Sequence, residues 1–362
     1  MSGQFYLLLK HSLLGVVISL FVAVGETNGQ TDWPAFMGLQ RNGLSSESHI
    51  FSEEGIKLQV EWLHTLGSGY SGVAVAADIA VVMYSKNHLD YVQAFVVSTG
   101  NILWKYTIGP TYKGHGNSQD GPLSTPALSE EHAFCLTPHG TLLALELNSG
   151  ALVWERNLVQ ELAAPPPHWG FVTSPLLFDD IIILMVGSAE DGLLVGFEQQ
   201  TGKILWRQGE DSIRYQSPTL GDVHGTPTVV AAGDSALVAL DPVSGKVLWH
   251  HVVEGGLTDG TMPIVVPPDK ILVRSAQNGL LLLRVNKTPP FEIETVWANH
   301  KVKKSYGQPL VYEDHIYVYS GRFLSCVSMQ SGEISWKSRH PGDGFIIAVD
   351  RHLVALTKKG RM

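Results

Sequence analysis

Five times along this chain the pattern Ser/Thr-Gly-x-x-x-Trp recurs: Thr99-Gly100 to Trp104, Ser149-Gly150 to Trp154, Thr201-Gly202 to Trp206, Ser244-Gly245 to Trp249 and Ser331-Gly332 to Trp336. Trp62 and Trp297 fall on the same beat, so that seven tryptophans are spaced 42, 50, 52, 43, 48 and 39 residues apart. A period of roughly 40 to 50 residues is that of a four-stranded propeller blade and is too long for a leucine-rich or hexapeptide solenoid. The pattern therefore constrains the fold more than any bulk property of the chain.

Within each period the chain reads as strands. Alternating apolar runs precede each Ser/Thr-Gly turn: Tyr91 to Val97, Leu142 to Leu147, Leu193 to Phe197, Ala236 to Leu240 and Phe323 to Met329. The turn after each run makes a hairpin into the strand that carries Trp. Pro138-His139-Gly140, Glu190-Asp191-Gly192 and Gln277-Asn278-Gly279 close an earlier hairpin, preceded by runs such as Ile181 to Val186 and Lys270 to Arg274. A proline opens the unit each time, at Pro126, Pro175, Pro218, Pro263 and Pro309. Proline lacks the N–H of a central ladder and suits the start of an innermost strand facing a channel. No helical period follows the N-terminal segment, so the expected class is all-β, a propeller of antiparallel four-stranded blades. Counting gives about seven blade units plus an orphan outer strand at Trp62. The last unit holds two strands, near 345–349 and 353–357, which is the expectation for an eight-bladed type incomplete at its C-terminus. Trp62, Trp104, Trp154, Trp206, Trp249, Trp297 and Trp336 are expected to fill the wedges between neighbouring blades.

Three divisions follow: a signal peptide over 1–25, a leader over 26–58 and the propeller over 59–362. Lys10 precedes an uncharged apolar run of 13 residues, Ser12 to Val24, and Ala23 and Gly25 place small residues at a cleavage site. The run is too short to span a bilayer comfortably. The expected location is the periplasm or beyond the cell, with no membrane span after signal removal. A formal net charge of −9 excludes general affinity for nucleic acid or anionic lipid, both of which need a basic face. Two cysteines, Cys135 and Cys326, fall in the second and sixth units, too far around a ring to pair.

These repeats resemble the pyrroloquinoline-quinone-type propeller repeat, with Ala239-Leu240-Asp241-Pro242-Val243-Ser244-Gly245-Lys246-Val247-Leu248-Trp249 as the best example. The segment Trp33-Pro34-Ala35-Phe36-Met37-Gly38-Leu39-Gln40-Arg41-Asn42-Gly43 is similar to the leader of exported bacterial propellers of this type, notably from planctomycetes. More distantly the chain is similar to BamB, the propeller scaffold of the outer-membrane assembly machinery. The resemblance implies a propeller but not one activity, because function resides in sites grafted on folds. Its enzymatic members hold the quinone against a Trp and a vicinal Cys-Cys disulfide, with calcium held by carboxylate and amide oxygens. This chain has no Cys-Cys pair and no run of alternating Asp and Asn. The expectation is no cofactor, with a quinone- and calcium-dependent dehydrogenase as the alternative.

The loop from one blade's outermost strand to the next blade's innermost strand brings comparable positions to one rim of the channel. Those positions are Tyr70, Asp120, Trp169, Tyr215, Asp259, Tyr306 and Phe345. Such an aromatic and acidic ring is a candidate binding surface, since aromatics give large contact area at small entropic cost. Trp169 stands apart from the seven-beat register, after Pro165-Pro166-Pro167-His168. Asp120-Gly121, Asp259-Gly260 and Asp343-Gly344 share a loop position but read first as turn pairs. The 15 histidines match no metal spacing, and no nucleophile elbow or phosphate loop is present, so catalytic and metal residues are none. The functional expectation is an exported, monomeric, non-catalytic propeller that binds or scaffolds a protein or peptide partner, with carbohydrate binding as a further alternative.

Overall fold

The computed structural model describes residues 32–51, 59–116, 118–187, 193–209, 211, 215–258, 260–358 and 360–362. The proposed signal peptide, the turn at Glu190-Asp191-Gly192 and the rim position Asp259 lie outside the described residues. Among the described residues, six four-stranded antiparallel sheets follow one another, each ordered first strand to fourth, with one two-stranded sheet after them. The first strands are Ala74–Ala76, Ala127–Leu128, Leu176–Phe178, Thr219–Val223, Ile264–Val266 and Leu310–Tyr312. Pro126, Pro175, Pro218, Pro263 and Pro309 each stand immediately before one of these strands, where no ladder N–H is needed. The seventh unit consists of Gly344–Val349 paired with His352–Thr357. A four-residue helix, Leu158–Glu161, sits between the second and third blades. The architecture is a β-propeller.

Each fourth strand bears its tryptophan opposite one residue of the third strand: Ala94 faces Trp104, Ala144 Trp154, Gly196 Trp206, Ala239 Trp249, Leu282 Trp297 and Cys326 Trp336. The pairing register shifts directly after that residue in all six blades. A bulge of this kind bends the strand and re-aims its side chain. Five of the six opposing residues are small, which leaves room for the ring.

The motif glycine has a second role beyond turning the chain. A Cβ on Gly150 would lie 2.5 Å from Trp104 of the preceding blade, and one on Gly202 would lie 2.7 Å from Trp154. The same holds for Gly100 over Trp62, Gly245 over Trp206 and Gly332 over Trp297. The indoles of Trp62, Trp104, Trp154 and Trp297 also donate to carbonyls three residues before those glycines, at Val97, Leu147, Gln199 and Met329 (2.7–2.9 Å). Glycine and tryptophan of one motif thus face opposite neighbours, and the repeat encodes contact between blades.

The core is correspondingly interblade. Trp104 and Leu143 join blades one and two, Phe134 and Ile182 join two and three, and Met185 and Val229 join three and four. Trp249 and Ile271 join four and five, Leu282 and Ile316 five and six, and Tyr319 and Ile346 six and the seventh unit. Trp62 packs with Leu66 on Ala80 and Phe95 of the first blade, as a fourth strand packs on its successor. Trp336 departs from the wedge expectation. It is 42 % exposed because the seventh unit, having two strands, presents no glycine turn to cover it.

The leader lies across the channel. Trp33 pairs with Val75 of the first blade, Pro34 O accepts from Leu128 N of the second, and Leu44 pairs with Ala348 of the seventh unit. Between them Arg41 donates to Pro175 O and Ser174 O of the third blade and reaches Met262 Sδ before the fifth. Ile50 N and Phe51 N then donate to Asp350 Oδ2, which fastens the leader's end to the turn of the seventh unit. Cys135 and Cys326 are free and buried on the second and sixth blades.

Candidate functional site

Immediately before their first strands, consecutive blades are laced by side-chain oxygens. Gly72 N donates to Thr125 Oγ1 (3.0 Å), Thr125 N to Ser174 Oγ (3.0 Å) and Ser174 N to Ser217 Oγ (2.8 Å). Across the ring, Met262 N donates to Gln308 Oε1 (2.8 Å) and Gln308 Nε2 to Met262 O (3.1 Å). These contacts fix the floor of a cavity of about 550 Å³ at the channel mouth.

Five of the seven rim positions line that one cavity: Tyr70, Trp169, Tyr215, Tyr306 and Phe345. Four come from separate loops and Phe345 from the start of the seventh unit's first strand, and the ring alone brings them together. Tyr70 Oη accepts from Gln119 N (3.0 Å) and Tyr215 Oη from Trp169 N (3.2 Å), so each hydroxyl ties its ring to the neighbouring loop. Lys304 Nζ stands 5.5 Å from the Tyr306 ring centroid, within cation–π reach. Tyr306 and Phe345 are more than half exposed, while Trp169 is 37 % exposed. Exposed aromatics grouped around a recess form a contiguous apolar surface, unlike single exposed side chains scattered over a protein.

Asp120 is not among the cavity's lining residues. It pairs with Lys113 (2.7 Å) and accepts from Gly114 N, and these contacts hold its carboxyl below the usual range. Asp343 pairs with Lys358 in the same way (2.7 Å). Asp120 serves its own loop, and Asp343 joins the two ends of the last hairpin. Among the described residues no three His, Cys, Asp or Glu side chains converge on a metal position. The cavity is lined by aromatic, hydroxyl and amide groups with Lys358 as its charged member, which among the described residues is not the cage of six to eight oxygens that calcium takes.

Several cavity residues carry no signal in the repeat register. Phe36 enters from the leader and Tyr112 from the loop after the first blade. Burial raises the Tyr112 phenol, with Tyr215 adding to the effect. Gln216 is buried and its Nε2 donates to Thr258 O, while its Oε1 has no partner and stands at the cavity floor. The dipeptides Thr125-Pro126, Ser174-Pro175 and Ser217-Pro218 were a readable sign of the floor, since hydroxyl and proline repeat together.

The histidines, scattered in sequence, meet in space. His115 and His168 have ring centroids 5.1 Å apart, and His168 lies 4.8 Å from Trp169. His139 lies 5.3 Å from Tyr112. Together they border a second recess of about 360 Å³, which shares Tyr112 with the aromatic cavity.

Comparison with known proteins places the fold. The chain aligns with the crystal structure of BamB from Moraxella catarrhalis at a TM-score of 0.58 and 18% identity, over 83% of this chain and 84% of that one. It also aligns with quinohemoprotein alcohol dehydrogenase from Comamonas testosteroni at a TM-score of 0.48 and 16% identity, covering 85% of this chain and 49% of that one. A europium-containing methanol dehydrogenase aligns at a TM-score of 0.49 and 12% identity, over 91% and 88%. No curated protein sequence matches the chain. No helix among the described residues is long and apolar enough to cross a membrane. The model of the family described as outer membrane protein assembly factor BamB matches residues 88–338, well over half of the chain, and to that family this propeller belongs.

Proposed function

We propose that this propeller is an exported, non-catalytic binding module of the cell envelope, and that the aromatic cavity at its channel mouth holds a segment of a protein or peptide partner. The observation that carries the reading is the convergence of Tyr70, Trp169, Tyr215 and Tyr306 from four loops, and of Phe345 from a strand start, on one recess. Rigid aromatics contribute area with little loss of side-chain entropy, and the hydroxyl ties of Tyr70 and Tyr215 hold two loops in place before a ligand arrives. Membership of a family described as an assembly factor supports a protein partner. Among the described residues lining the cavity the groups are aromatic, hydroxyl, amide and aliphatic with one lysine, and the reading assigns them recognition.

Selection from a displayed random-peptide library on the purified mature chain tests it, with a Trp169→Ala/Tyr306→Ala variant as counter-target. Peptides enriched on the native chain should lose at least about tenfold in affinity for the variant, as hot-spot aromatics do. Equal enrichment on both proteins would overturn the assignment of the cavity.

A further inference from the structure

Basic side chains gather on one sector of the channel mouth. The loop from the fifth blade to the sixth carries Lys301, Lys303 and Lys304 ahead of Tyr306. The turn between the second and third strands of the sixth blade carries Arg322, the loop after that blade carries Arg339, and Lys358 follows the last strand. All six are exposed. Contacts place them together. Lys303 N donates to Ser320 Oγ, which donates to Lys301 O, so the lysine loop lies against the Arg322 turn. The Arg339 guanidinium stands 5.3 Å from the Phe323 ring at the end of the same turn, and Lys358 lines the aromatic cavity with Tyr306. Segments 300–309, 321–322 and 339–343 hold one carboxylate, Asp343, which pairs with Lys358 at 2.7 Å.

Two features set this sector apart from solvated charge scattered over a surface. The lysine loop is held: buried Arg274 of the fifth blade donates to Lys303 O (2.9 Å) and, across the blade boundary, to Tyr319 O (2.6 Å). Its lysines project from a fixed backbone, so less loop entropy is lost when a ligand binds. The charge is also segregated. At the opposite end the turns of the sixth blade carry Glu313, Asp314 and Glu333 with no base. On the mouth, the matching turn and loop of the fourth blade carry Asp234 and Glu254, again with no base. A chain of formal net charge −9 thus concentrates positive charge beside its aromatic cavity.

Resting on the peptide reading of the cavity, we propose that the mouth over the fifth to seventh units is a basic docking surface for an acidic stretch of that peptide, adjoining its aromatic anchor. Charges beyond about 8 Å are screened at physiological salt, so an acidic segment lying here meets the local lysines and arginines and not the net charge of the whole chain. A flat anionic membrane would also meet the acidic turn and loop of the fourth blade, whereas a peptide can run along one sector of the rim.

The probes are N-acetyl-Phe-Glu-Glu-Glu amide and N-acetyl-Phe-Gln-Gln-Gln amide, titrated by calorimetry at about pH 8, where free imidazole is neutral, in about 50 and 300 mM NaCl. The glutamate peptide should bind about tenfold tighter than the glutamine peptide at the lower salt, as three exposed ion pairs supply, and the difference should shrink at the higher. A Lys301→Gln/Lys303→Gln variant should cut that ratio to about threefold or less. Lys304 and Lys358 stay in place because one stands over Tyr306 and the other lines the cavity. A Lys203→Gln/Lys246→Gln variant removes the same charge at the far end of the ring and should keep the full ratio. Equal affinities for the two peptides on the native chain would refute the basic surface and leave the cavity standing. So would a ratio that survives in the mouth variant, or one that falls as far in the far-end variant. Binding of neither peptide would refute both the basic surface and the peptide reading of the cavity. Vesicles of phosphatidylglycerol and phosphatidylcholine should not bind, and vesicle binding that the mouth variant loses would assign the sector to a lipid surface and overturn the proposal.

Discussion

Arg41 brings a guanidinium to the centre of the ring, fully buried, where it donates to two backbone carbonyls and reaches the Met262 sulfur. Burial lowers its pKa to about 9, and its Nε has no partner. The sign is that of a base whose folded value lies below its unfolded one. Folding therefore works against the charged form below about pH 9 and is relieved as pH rises above it. What Arg41 adds is reach, because its long stem fills the axis and its two nitrogens hold the third blade. Arg41→Ala removes both and should cost about 2–4 kcal/mol in urea unfolding. Arg41→Met keeps the stem, removes the desolvated charge and should cost less than about 1.5 kcal/mol. Equal losses in the two variants would show that the hydrogen bonds, and not the filling of the axis, are what the residue supplies. No local pattern in the sequence announces this role. The leader's arginine stands in a polar run, Gln40-Arg41-Asn42, with nothing to single it out until the ring places carbonyls of a distant blade around it.

Among the elements, the outer hairpin of each blade carries the contact that joins neighbours. Gly202 (φ +68°) and Gly225 (φ +82°) share a left-handed backbone, yet a Cβ at Gly202 would meet Trp154 at 2.7 Å whereas one at Gly225 meets nothing within 4 Å. Gly225→Ala should therefore cost only the backbone term, about 1–2 kcal/mol. Gly202→Ala should cost at least about 1 kcal/mol more, because the Trp154 wedge must move. Thermal unfolding of the two variants reads the difference directly, and equal losses would mean that the motif glycine only turns the chain. Strands and wedges were legible in the sequence because they depend on a period of two within a strand and on a beat of one tryptophan per blade. The bulge after each facing residue, from Ala94 to Cys326, was not legible, since a one-residue shift in pairing leaves the apolar alternation on either side intact. Trp336 shows the limit of the beat: the motif is complete at Ser331-Gly332, but whether its wedge is covered depends on the next unit.

At the scale of the whole molecule, the ring converts distant sequence positions into one surface. Tyr70, Trp169, Tyr215, Tyr306 and Phe345, read from the rim register, line one cavity because blades repeat and the entries to their first strands arrive at the same mouth. Asp120, read for the same rim, pairs with Lys113 of its own loop and does not line that cavity, and His115, His139 and His168 have no spacing relation until three loops are folded side by side. The leader gives the ring two unlike ends. Phe36 lines the aromatic cavity ahead of the first strands, and Leu39 lines recesses bordered by the far ends of those strands at Phe178, Asp222 and Val265. The central claim is that recognition takes place at the aromatic end. Photocrosslinking in the native envelope tests it most directly, with p-benzoylphenylalanine placed at position 306 in one protein and at position 39 in another. The account predicts a covalent partner adduct from position 306 and none from position 39; adducts from position 39 alone, or from neither position, would contradict it.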